Sequence, residues 1–192
     1  MSEFRIYSLN AEDGAIIDEI SDIDAEIFPG NIWGRDSYAR SAANDYDFLI
    51  AYLFDEADCA SSEASESDEE REAADEETEA SAGPVQPDKA AANSNENAQT
   101  AGFALLRCFD DAELIRIAVA PKYRRLGYGR KLMDALIKEA ADRGIGNIFL
   151  EVRRGNAAAI RLYESAGFEQ TGVRKDYYHA PKEDALIMRY TC

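Results

Sequence analysis

Apolar and polar positions along this 192-residue chain change period several times, and each change marks an element. Alternation over residues 4–8 predicts a first strand. Ile16, Ile17, Ile20, Ile23 and Ile27 then recur at helical spacing after turn residues 10–14. Residues 28–34 form a loop that carries the sole tryptophan, Trp33, and 35–43 read as a short helix. The apolar runs 47–54 and 101–109 are two strands that pair if the polar stretch between them is an overgrown hairpin connection. Residues 112–119 are a further strand, stopped before Pro121, which has no N–H to give to a ladder. In 129–143, Leu132, Met133, Leu136, Ile137 and Ala140 make one helical stripe, and Gly144 ends it. A strand over 147–152 follows. Next is a helix over 156–166, with Asn156 as N-cap and Gly167 as stop. Residues 168–174 and 184–190 close the chain as two strands. Strands and helices in this order predict one α/β domain with a mixed sheet.

Charge changes that picture at one place. The chain carries -17, but residues 55–100 hold 15 acidic side chains against Arg71 and Lys89, a net of -13, which leaves -4 for the rest. This segment has almost no large apolar residue, so it cannot offset its own ordering entropy, and its composition is that of a disordered insertion between two strands. A solvated spacer and an acidic lure for a basic partner are the two readings of it. Cys59, Cys108 and Cys192 are odd in number and widely spaced, which suits neither a disulfide framework nor a zinc site and points to a reducing compartment. The first residues lack the basic and apolar regions of a signal peptide, and no apolar run reaches membrane-span length. A cytoplasmic protein is expected.

Against this acidity, A-P-K-Y-R-R-L-G-Y-G-R-K-L-M at 120–133 puts five basic residues and two glycines in a strand-to-helix turn. The first N–H groups of a helix lack internal partners and sit at the positive end of its dipole, so this turn is an anion site. Gly127 and Gly129 remove Cβ atoms from the approach, and Arg124, Arg125, Arg130 and Lys131 add charge. Phosphate or pyrophosphate is the expected guest. The stretch lacks G-K-[ST] and the third glycine of a dinucleotide fingerprint, so it is neither of those loops.

R-R-L-G-Y-G resembles the acyl-CoA pyrophosphate turn of the GNAT superfamily of N-acetyltransferases, with Arg124, Gly127 and Gly129 at its fixed positions. N-A-A-A-I-R-L-Y-E-S-A-G-F resembles the second hallmark of that family, and I-A-V at Ile117, Ala118 and Val119 the strand along the pantetheine arm. With R-K-D-Y-Y and E-D-A-L-I-M, the chain is similar to the bacterial ribosomal-protein-alanine N-acetyltransferases of the RimI type, nearly throughout outside 55–100. The resemblance implies the GNAT fold, with about seven strands in a central sheet flanked by helices. It also implies acetyl-CoA as co-substrate, a ribosomal protein N-terminus as acceptor, and no metal, direct nucleic-acid contact or membrane. The same comparison implies that Ile117, Ala118, Val119, Arg124, Arg125, Leu126, Gly127, Tyr128, Gly129, Arg130 and Asn156 hold the co-substrate.

Two residues then carry the implied chemistry. Glu151 interrupts the apolar strand I-F-L-E-V on the face of Phe149, where a carboxylate is costly unless solvated or paired. It is the implied general base, against a strand-end glutamate reaching water. Tyr163 lies two turns after Asn156, on the same helix face about 10 Å away. It is the implied acid for the departing thiolate, against an ordinary core tyrosine. Arg174, Tyr177 and Tyr178 resemble the peptide-binding edge of such enzymes, and Trp33 the loop flanking the groove. The lone His179 is read as exposed and given no role. A lysine or broader protein acetyltransferase and a non-catalytic acyl-CoA-binding module are the alternatives.

Overall fold

The computed structural model describes residues 5–55 and 98–192. In chain order these form β1 (Arg5–Ser8), α1 (Gly14–Ile27), α2 (Arg35–Ala42), β2 (Asp47–Asp55), β3 (Ala98–Cys108) and β4 (Ala112–Val119). Then come α3 (Tyr128–Asp142), β5 (Asn147–Arg153), α4 (Ala157–Ser165), β6 (Glu169–His179) and β7 (Lys182–Thr191). The seven strands lie in one sheet in the order β1-β2-β3-β4-β5-β7-β6. Every neighbouring pair is antiparallel except β4 and β5, which run parallel through the α3 crossover.

Two apolar clusters lie on the two faces of the sheet. On one, Ile17 and Ile20 of α1 and Tyr38 of α2 pack on Leu49, Phe103, Leu105 and Ala118. On the other, Leu132, Met133 and Leu136 of α3 and Tyr163 of α4 pack on Ile50, Leu106, Leu114, Ile148 and Leu150. The first layer reaches only to β4. Beyond it, that face of β5, β7 and β6 has no helix over it among the described residues.

The predicted elements are present, with shifted ends. Asp55 pairs with Ala98, so both ends of the predicted 55–100 insertion are ladder residues, and 56–97 lie outside the described residues. The last two strands are longer than their apolar runs and make a hairpin from Glu169 to Thr191. The hairpin is interrupted by a register shift between Arg174 and Tyr178, where Asp176 takes a φ of 55°.

An irregularity in β4 shapes the centre of the sheet. Leu105 pairs with Arg116 but Leu106 with Leu114, so Ile115 is an extra residue in β4. A bulge of this kind reverses the alternation after it. Leu114 therefore faces α3, Arg116 and Ala118 turn toward α1 and α2, and Ile117 and Val119 return to the α3 side. The β4–β5 ladder holds only Ala112 to Ile148 and Glu113 to Phe149. Past it the two strands part, and a gap opens between Arg116–Val119 on one side and Glu151 on the other. On the far edge of β4, Gly102 allows close approach of β3: a Cβ there would lie 2.5 Å from the Ala118 carbonyl oxygen.

Candidate active site

At the C-terminal end of β4 a single 3-10 turn, Pro121–Tyr123, leads into the basic turn and α3. Arg125 and Gly127 both adopt left-handed φ values, 68° and 79°. Gly127 is the N-cap, and its carbonyl accepts from the amides of both Arg130 and Lys131. The α3 N-terminus so formed opens toward solvent, since a Cβ at Gly127 would meet nothing within 4 Å. Tyr128 turns inward and stacks on Tyr52, with ring centroids 4.6 Å apart, which seats the start of α3 on β2. Gly129 faces Leu162 of α4. Arg124 and Arg125 are exposed, as is Leu126. The Arg124 Nε donates to the Val119 carbonyl at 3.1 Å. Arg130 turns away from the turn, to Asp134 at 2.8 Å and to the Ser165 carbonyl at the end of α4. Asn156 caps α4, accepting from the Ala159 amide at 3.1 Å. Exposed arginines around an uncovered helix start suit a phosphate group.

The gap beside this turn has different chemistry on its two sides. Glu151 lies on the helix-free face of β5, with Phe149 and opposite Ile187 of β7. Its Oε1 pairs with Arg174 Nε at 2.8 Å. Interaction with the Glu151 carboxylate raises the Tyr177 hydroxyl above the ordinary tyrosine range. A cavity of about 390 Å³ runs from Glu151 and Arg174 past Phe149, Glu113 and Ile187 to Phe109. Tyr163 stands on the opposite face, 7% exposed in the α3–α4 core. Burial pushes its hydroxyl well above the usual tyrosine value, and Tyr178 adds to the rise. Tyr178 lies between the two, raised by burial first and then by Glu151, with Arg153 over its ring at 4.0 Å.

Asp24 and Arg116, to which the sequence pattern assigned no role, are among the buried charged residues. Asp24 is 0% and Arg116 6% exposed. Asp24 Oδ1 pairs with Arg116 Nη1 at 3.1 Å and accepts from the Tyr38 hydroxyl at 2.7 Å. Asp24 Oδ2 accepts from the Trp33 amide, and Arg116 Nη2 donates to the Asn31 carbonyl. Trp33 thus stands where expected, in the α1–α2 loop, packed on Tyr38 and over Arg116. The signals were present: Asp24 falls one turn after Ile20 inside the apolar stripe, and Arg116 interrupts I-R-I-A-V. Among the described residues no group of three or more metal-ligating side chains gathers, and no helix is long and apolar enough to cross a membrane.

The arrangement has counterparts among known proteins. The model of the acetyltransferase (GNAT) family matches residues 47–168. The [ribosomal protein bS18]-alanine N-acetyltransferase of Escherichia coli strain K12 is 47% identical over 96 residues, which span 48% of this chain and 65% of that enzyme. Its namesake in Haemophilus influenzae is 39% identical over 97 residues, 48% of this chain and 66% of the enzyme. The matched stretch thus covers slightly less than two thirds of these curated relatives. In three dimensions, the crystal structure of the Escherichia coli ribosomal-protein-S18-alanine N-acetyltransferase superposes with a TM-score of 0.65 at 27% identity, over 98% of this chain and 94% of that one. Arabidopsis thaliana NAA60 in complex with acetyl-CoA shares the fold at a TM-score of 0.70 and 14% identity, over 99% of this chain and 100% of that one. A parted β4–β5 pair, a glycine-capped start to α3 and a family match over more than half its length lead to one conclusion: this chain belongs to the GNAT acetyltransferase family.

Proposed function

We propose that this protein transfers the acetyl group of acetyl-CoA to the α-amine of a protein N-terminus, an N-terminal alanine of a small-subunit ribosomal protein. The observation that carries the reading is the gap between β4 and β5, with Glu151 on one face of the sheet and Tyr163 on the other. Acetyl-CoA supplies an activated thioester when bound. Arg124, Arg125 and the first amides of α3 suit its pyrophosphate, and Gly127 leaves their approach uncovered. The β4 edge at Ile117, Ala118 and Val119, past the end of the β5 ladder, offers backbone groups to an amide-bearing arm. Asn156 holds the start of α4 beside it.

A free α-amine has a pKa of about 7.7–8.0, so it arrives largely protonated near neutral pH. Glu151 takes that proton, directly or through one water. Arg174 holds its carboxylate in position from the β6 side, where Tyr177 also interacts with it. Tyr163 keeps its own proton, because burial disfavours the phenolate. It stands on the face that α3 and α4 cover, the side of a co-substrate anchored at the α3 turn, and is the acid for the leaving sulfur. The alanine acceptor rests on the bacterial relatives, which are named for ribosomal protein bS18.

The test offers two peptides with acetyl-CoA and reads the products by mass spectrometry. One begins with a free alanine followed by arginine, and the other has a blocked N-terminus and an internal lysine. Modification of the first alone supports the proposal. Modification of the second moves the enzyme to the lysine class. Modification of neither, with acetyl-CoA bound, leaves a different acceptor or a binding module.

A further inference from the structure

We infer that Asp24 and Arg116 are positioning residues for the acceptor: they pin the 28–34 loop beside Glu151 and so set acceptor affinity. The inference rests on the reading of the β4–β5 gap as the transfer site. Its first support is the bonding pattern. One buried carboxylate on α1 takes the Trp33 amide on Oδ2 and the Tyr38 hydroxyl and Arg116 guanidinium on Oδ1. One buried guanidinium on β4 adds the Asn31 carbonyl and lies under Phe28 at 4.6 Å and Trp33 at 5.4 Å. The loop is therefore held at its backbone in two places and by two of its aromatic rings. An ion pair this deep adds little stability over an apolar replacement of the same shape, whereas its hydrogen-bond geometry permits one arrangement of the loop.

The second support is the register. Glu113 pairs with Phe149, and Glu151 lies two residues further along β5 on the same face. Because Ile115 is the extra residue of the bulge, Arg116 reaches that same level and face of β4. The loop is thus pinned to β4 at the level of Glu151, and its Ile32 is exposed. Arg174 and Tyr177 border the gap from the β6 side. An acceptor chain that reaches Glu151 passes between these walls, so the loop's position decides how well the chain is held.

Trp33 is the only tryptophan, so its fluorescence reports the loop directly. The variants are Arg116→Lys, whose single ammonium cannot span Asp24 and Asn31 as the planar fork does, Asp24→Asn, and the milder Tyr38→Phe. Each is made in the full chain. Acetyl-CoA affinity, kcat and KM for the alanine-arginine peptide, and acrylamide quenching of Trp33 are measured for each. The expected result for Arg116→Lys and Asp24→Asn is an acceptor KM raised about tenfold with kcat within about twofold, the signature of lost uniform binding. Tyr38→Phe follows in the same direction, Trp33 is quenched more readily, and acetyl-CoA affinity is unchanged. Wild-type quenching in Arg116→Lys and Tyr38→Phe overturns the inference, as does looser Trp33 with an unchanged acceptor KM. If Asp24→Asn does not fold, those two variants decide. If the wild-type protein acetylates neither peptide, the functional reading fails on its own, and Trp33 quenching alone decides whether the loop is pinned.

Discussion

At the scale of single residues, the proposed transfer site turns on a carboxylate, Glu151, and a phenol, Tyr163. Glu151 stands out because a strand alternates, so a charge among I-F-L-E-V must face away from Ile148, Leu150 and Val152, which are all buried. The Asn156 cap is local and was readable from its own helix. The Asp24–Arg116 pair was not, because each side chain is explained only by a partner in an element far along the chain. Glu151→Gln keeps the shape and removes the proposed base. It is expected to lower kcat/KM for the peptide by about 10²–10⁴-fold, with acetyl-CoA affinity unchanged by calorimetry. Tyr163→Phe tests the acid and also the pH response. The folded hydroxyl is raised above the unfolded value of about 10, so its contribution to stability is present below pH 10 and is lost as pH rises beyond it. Chemical denaturation above pH 10 is expected to show falling stability in wild type and a shallower fall in Tyr163→Phe.

Helices and strands locate the site by how they end and where they fail to pair. The start of α3 was visible in R-R-L-G-Y-G to within one residue, but the left-handed cap at Gly127 shows only in the backbone. Gly127→Ala introduces no clash but holds a Cβ residue at a φ of 79°, a strain of about 1–2 kcal/mol. Acetyl-CoA affinity is therefore expected to fall with only a small drop in Tm. The β4 bulge was not visible, because L-I-R-I-A-V alternates well enough to pass for an even strand, and the extra residue appears only when β3 supplies the register. Gly102 pairs with Val119 at the far end of β4, where an alanine Cβ would meet the Ala118 carbonyl oxygen at 2.5 Å. Backbone cannot yield there as a side-chain tip can. Gly102→Ala is expected to cost about 1–3 kcal/mol of unfolding free energy and to weaken acetyl-CoA binding at the neighbouring edge of Ile117, Ala118 and Val119. Denaturant titration beside calorimetry checks both.

Over the whole molecule, the two helical layers are unequal, and that inequality leaves one face of β5, β7 and β6, the proposed acceptor face, uncovered by any described helix beside Glu151. The α/β order was readable from changes of period, but which strands stay uncovered depends on how far α1 and α2 reach, and no local pattern states that. Charge is as uneven as the layers. Residues 56–97 carry 14 acidic and two basic side chains, so removing them takes the net charge from -17 to -5. At 0.15 M salt the screening length is about 8 Å, and charge beyond it has little effect on a short peptide at the gap. Joining Asp55 to Ala98, which pair as neighbours, by a short Gly-Asn turn in place of 56–97 is therefore expected to leave kcat/KM for the alanine-arginine peptide within about twofold at that salt. A basic folded protein as acceptor differs, because long-range attraction to a strongly acidic chain raises its encounter rate at low ionic strength. For that acceptor the deletion is expected to lower kcat/KM at 0.02 M salt and to converge with the full chain at 0.3 M. Steady-state rates of both proteins with both acceptors at both salts make the comparison. Loss of peptide activity at 0.15 M would instead give residues 56–97 a part in the site itself, and equal salt slopes would leave them a spacer.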